Sequence, residues 1–81
     1  MRNIYNRRAI NVNFMKVRYN LGVTQDVFGK SLNITRHVTQ AYESGRCQPN
    51  LDTIKELFKI ANIPKEDLYD FVFDCNYVIS K

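Results

Sequence analysis

The chain is predicted to be all-α, on three observations. Its apolar residues recur at helical spacing, capping residues stand where helices start and stop, and its two prolines fall between helical segments. The last dozen residues are the exception, because their pattern fits two structures. A length of 81 residues makes one domain, of the size that folds alone with a thin stability margin.

Residues 1–12 are polar and basic without a clear period and read as an N-terminal arm. Asn13 is placed to cap a helix running to about Asn20, with Phe14, Val17 and Leu21 as its inner face. Gly22 stops it. Thr24 is the next N-cap, and Asp26 stands in the first turn, where negative charge favours the helix dipole. Phe28 and Leu32 lie four apart on one face of this helix, 24–32, and Asn33 suits a left-handed stop. Thr35 opens a third helix that runs through Glu43 and ends at Ser44-Gly45. Pro49 closes the next loop. Asn50 caps a fourth helix, 51–61, with Leu51, Ile54, Leu57, Phe58 and Ala61 as its apolar stripe. Pro64 opens a short fifth helix carrying Leu68.

Beyond it, Tyr69, Phe71, Phe73, Cys75, Tyr77 and Ile79 alternate with mostly polar neighbours, which is strand period with strand-favouring residue types. Leu68, Phe71, Val72, Cys75 and Ile79 also fit one helix face. The strand is the favoured reading, and the helix stays open. A helical domain at 13–68 is thus framed by the arm, 1–12, and a tail, 69–81.

The hydrophobic fraction of 44% and charged fraction of 25% are those of a soluble globule. No apolar run is long enough to span a bilayer, and the N-terminal residues have no signal-peptide core, so a cytoplasmic location is expected. Cys47, Cys75 and the single histidine have no zinc-site spacing, so no metal and no cofactor is expected, and the thiols are expected to be reduced. No phosphate-binding glycine loop, paired carboxylates or Cys–His pair supports catalysis. Charge is unevenly spread. Residues 1–48 carry eight basic side chains against Asp26 and Glu43, whereas 49–81 carry four lysines against six acids. A basic half of this kind is suited to meet a polyanion.

Two short helices, 24–32 and 35–43, flank a tight break at Asn33-Ile34. That is the helix-turn-helix arrangement, in which the first helix grips DNA backbone and the second projects its N-terminal side chains at base edges. From Phe14 to Leu68 the chain resembles the Cro/C1-type (XRE-type) helix-turn-helix family. The likeness is carried by Phe14, Val17-Arg18, Leu21-Gly22-Val23-Thr24-Gln25, Phe28, Leu32, Ile34-Thr35-Arg36 and Tyr42-Glu43-Ser44-Gly45. Pro49, Leu51, Ile54 and Leu57 through Ile63 complete it.

The resemblance implies a five-helix, lambda-repressor-like DNA-binding domain. It places Thr35, Arg36, His37 and Val38 at the entry to the major groove, with Gln40 and Ala41 further along. Gln25 would contact a phosphate and brace the start of the recognition helix, and Ser44 and Arg46 would approach the DNA backbone. Arg18 and Glu43 stand where family members often carry an internal ion pair. Two positions depart from the family pattern. Gly29 replaces the usual alanine where the two helices pack, and Thr39 replaces a branched apolar residue, so its hydroxyl needs a hydrogen-bond partner such as a carbonyl one turn earlier.

The function expected on this likeness is a sequence-specific, double-stranded-DNA-binding transcriptional regulator, a dimeric repressor reading a palindromic operator. Phe71, Phe73, Tyr77 and Ile79 are apolar residues beyond what a core over 14–63 needs, and they are assigned to a homodimer interface. The rival is that the tail folds back over its own core. Alternative functions are a controller protein of a restriction–modification system, or an antitoxin or adaptor that binds a protein partner.

Overall fold

The computed structural model describes residues 8–79. Among them the chain forms five α-helices and no strand: α1 (Ala9–Leu21), α2 (Gln25–Ser31), α3 (Arg36–Ser44), α4 (Leu51–Ala61) and, after a 3-10 turn at Lys65–Asp67, α5 (Leu68–Phe73). None of these helices is long and apolar enough to cross a membrane.

The middle of the chain follows its capping residues. The side chains of Thr24, Thr35 and Asn50 accept hydrogen bonds from the backbone N–H groups of Val27, Val38 and Thr53. Each bond satisfies a donor that the start of a helix leaves open. Gly22 and Gly45 end α1 and α3 in the left-handed region, at φ 71° and 85°. Asn33 and Asn62 adopt the same conformation at φ 61° and 55°.

The two ends of the chain depart from expectation. Helix α1 begins at Ala9, so the boundary expected between 12 and 13 falls inside it. Asn13 is not a cap but a buried residue within the helix, and its Nδ2 donates to the carbonyls of Phe71 and Asp74, both at 2.8 Å. Asn11 is buried too, and donates to the carbonyls of Tyr42 and Cys47. These bonds let polar amides sit in the interior without an unsatisfied donor, and the local preference of asparagine for a cap gives way to them. Residues 1–7 of the expected arm, with Tyr5, Arg2 and Arg7, lie outside the described residues.

The tail is not a strand: α5 carries it to Phe73, and residues 74–79 follow as a turn and irregular chain. A strand there would have no neighbouring strand to satisfy its edge. As a helix it turns Phe71 fully inward at 0% exposure. Phe71 meets Phe58 edge-on at 5.1 Å and Tyr77 at 5.7 Å between ring centroids. Tyr77 donates its hydroxyl to Asp67 Oδ2 at 2.7 Å. Burial, and then that bond, push the Tyr77 hydroxyl up to about 12. Lys16 on α1 donates to the carbonyls of Cys75 and Tyr77 at 2.8 and 3.1 Å. Ile79 packs against the same core. The tail therefore packs on this chain's own core through Phe71, Val72, Tyr77 and Ile79. Of the four residues assigned to an interface, Phe71 is a core residue, Tyr77 and Ile79 are partly covered by the core, and Phe73 is exposed.

The core itself centres on Phe14, which meets Phe28 at 5.1 Å and Tyr42 at 5.4 Å. Two stripe residues expected inside lie outside: Leu21 at the end of α1 and Leu51 at the start of α4 are exposed.

Helix α2 packs closely on α3 because Gly29 has no side chain. A β-carbon there would stand 2.7 Å from Thr39 Oγ1 and 2.9 Å from the Ile34 carbonyl oxygen. The Thr39 hydroxyl occupies that space and donates to the carbonyl of Thr35 at 3.0 Å, one turn earlier. Gly29 and Thr39 are thus a matched pair. Gly29→Ala gains about 1 kcal/mol of helix propensity, but the backbone carbonyl has to move, and overpacking costs about 1–3 kcal/mol. A net loss of stability is expected in urea melts. An unchanged or raised midpoint would show that α2 and α3 separate without cost.

Candidate nucleic-acid interface

Helix α3 has two faces. Thr39 and Tyr42 are buried, and Arg36, His37, Gln40 and Ser44 are exposed. The four-residue spacing of Arg36, Gln40 and Ser44 aligns them in one row, with His37 beside it. Thr35 caps the helix and is itself exposed. Val38 and Ala41 are half-buried, and Val38 packs on the core, so of the expected base-contacting residues these two present least surface. Ser44 Oγ donates to the Ala41 carbonyl at 3.2 Å.

The acid of α3, Glu43, is withdrawn from this face. Arg18 Nε and Nη2 donate to its two carboxylate oxygens at 2.6 and 3.0 Å, a bidentate pair. The side chains of Arg18 and Glu43 are 13% and 5% exposed. Arg18 Nη1 also donates to the Val23 carbonyl at 3.0 Å, and Gln25 Nε2 donates to Glu43 Oε1 at 3.1 Å. The hydrogen bonds that Arg18 donates to Glu43 raise its pKa above that of an ordinary guanidinium. One carboxylate thus ties α1, the start of α2 and the end of α3 together. Gln25, expected at a phosphate, spends one amide hydrogen on this knot. Its Nε2 carries a second hydrogen, which is the one a phosphate would take.

The other acid in the basic half, Asp26, lies 3.7 Å from Lys30 in an exposed pair. With Glu43 internal and Asp26 offset by Lys30, the outward charge of this half is cationic. Arg46 is exposed in the loop after α3. That loop is held by the N–H groups of Arg46 and Cys47, both directed at the Ala41 carbonyl, and by Asn11 bonded to the Cys47 carbonyl. Arg8, grouped by the sequence with the arm, precedes α1 directly and lays its guanidinium over Gly45, 3.0 Å from where a β-carbon would stand. It thereby joins Arg46 at the end of α3. Neither Asn11 nor this place for Arg8 had a local signal, since both depend on contacts across the fold.

Among the described residues no three His, Cys, Asp or Glu side chains gather into a metal-binding group. Cys47 and Cys75 are separate thiols, the first exposed and the second half-buried. No protein-family model, curated protein or solved structure matches the chain.

Proposed function

We propose that the chain is a sequence-specific double-stranded-DNA-binding transcriptional regulator of the Cro/C1 type, acting in the cytoplasm as a dimeric repressor that reads a palindromic operator through α3. The observation that carries this reading is the outer face of α3. It offers Arg36, His37, Gln40 and Ser44 and no acid, because Glu43 is held inside by Arg18. Arginine's planar fork matches the O6 and N7 acceptors of guanine, and glutamine's amide matches adenine. Arg46 and the second hydrogen of Gln25 are the groups for phosphate. Two copies, with recognition helices one turn of DNA apart at about 34–36 Å, supply the specificity that one short helix lacks. Phe73 is the exposed residue of the proposed dimer face.

The test is binding to random duplex as salt is raised, then to a site selected from a random pool. Each neutralised phosphate contributes a slope of about −0.9 in log affinity against log salt, so a dimer is expected to show a slope between about −3 and −8. A flat response would remove nucleic acid as the ligand. Arg36→Ala is expected to cost about 1–3 kcal/mol on the selected site and to blur one base position per half-site. An equal loss on selected and random DNA would make Arg36 a phosphate contact.

A further inference from the structure

Helix α4 and the segment after it carry a second surface that the DNA reading leaves unused. A groove of about 460 Å³ runs there, with Ile54, Phe58 and Ile63 on its floor. Leu51 and Leu68 form its walls, and Leu51 is 75% exposed, high for a leucine at the edge of an apolar groove. The rim is basic: Lys55, Lys59 and Lys65 stand around it against one acid, Asp52. Glu56, bonded to Lys59 at 3.4 Å, is the other acid of α4.

An apolar floor with a cationic rim selects among occupants. Against a second copy of this chain, a two-fold axis would bring together two rims that each carry three lysines against one acid, and like charges juxtaposed across an interface are repelled. A helix with apolar residues on one face and carboxylates beside them fills the floor and pairs the rim. This is the helix-in-groove mode of recognition, read by anchors spaced i, i+3, i+4 and i+7. We propose that the α4 groove is the docking site for an acidic amphipathic helix of a partner protein. The proposal stands independently of DNA binding. It gives the chain a route by which a second protein can reach it while α3 remains outward.

The test uses a labelled synthetic helical peptide with leucines at that spacing and glutamates elsewhere, and its counterpart with lysines in place of the glutamates. Fluorescence anisotropy against the full chain is expected to show saturable binding of the glutamate peptide, weakened as salt rises, and none of the lysine peptide. Leu51→Glu is expected to weaken it at least tenfold. Because Leu51 is mostly exposed, this variant should keep the wild-type circular dichroism. Lys55→Glu/Lys65→Glu is expected to reverse the preference between the two peptides. Failure of the glutamate peptide to bind, equal binding of both peptides, or binding indifferent to Leu51→Glu would each overturn the proposal. So would self-association that Leu51→Glu abolishes, which would assign the groove to a second copy. Duplex-DNA affinity, measured on the same variants, reports on α3 separately.

Discussion

Phe71→Ala is expected to remove about 3–5 kcal/mol of stability, the range for deleting a buried aromatic ring from a packed core. The total available to a domain of this size is on the order of 5–10 kcal/mol, so the variant should be largely unfolded near physiological temperature. The reason is position. Phe71 has no exposed surface and touches both Phe58 and Tyr77. A chain ending at Asp70 should fare worse. It loses the ring, the carbonyls of Phe71 and Asp74 that accept from Nδ2 of buried Asn13, and the carbonyls of Cys75 and Tyr77 that hold Lys16. Denaturant melts followed by far-UV circular dichroism read both. A truncated chain that melts cooperatively at the wild-type midpoint would show that the tail is dispensable to the fold and return it to the role of an interface. High pH is a milder probe. The Tyr77 hydroxyl holds its proton more tightly folded than unfolded, so its contribution is complete below about pH 10 and is lost as the pH rises through about 12.

Glu43→Ala is expected to cost about 3–5 kcal/mol, because it leaves Arg18 charged and mostly buried without a counter-ion. An exposed ion pair would be worth about 1 kcal/mol or less, so the measurement separates the two environments. Arg18→Ala should cost a similar amount, with Gln25 then the one side chain bonded to Glu43. The double replacement Arg18→Met/Glu43→Leu should recover most of the loss, since apolar residues of similar volume often substitute for a buried pair. Recovery should be incomplete, because Gln25 Nε2 and the Val23 carbonyl would each lose a partner. Unchanged midpoints for both single variants would show that the pair does not hold the helices together. The link to function is direct. A weakened knot frees the C-terminal end of α3, and the exposed row of Arg36, Gln40 and Ser44 is only as well oriented as that helix.

Residues 22–62 were legible in the sequence to within a residue or two. Thr24, Thr35 and Asn50 mark helix starts, and Gly22, Asn33 and Gly45 mark stops, because a cap is decided by groups within about three residues of one another. The same holds for the polar face of α3, whose helical period is written in the chain. The partner expected for the Thr39 hydroxyl, a carbonyl one turn earlier, is likewise local and is the bond observed with Thr35. Only the tertiary structure decided the ends and the buried polar contacts. Asn13 resembles a cap in isolation, but its partners lie 58 and 61 residues away. The tail's alternation favoured a strand, yet a lone segment without a second strand gains more by laying one helical face on α1 and Phe58. Leu51 belongs to an apolar stripe by spacing and stands in solvent, whereas Thr53 and Ile54 in the same turn of α4 are buried. Local rules place the helices; which of their residues are buried, and against what, depends on partners that the chain brings together only when it folds.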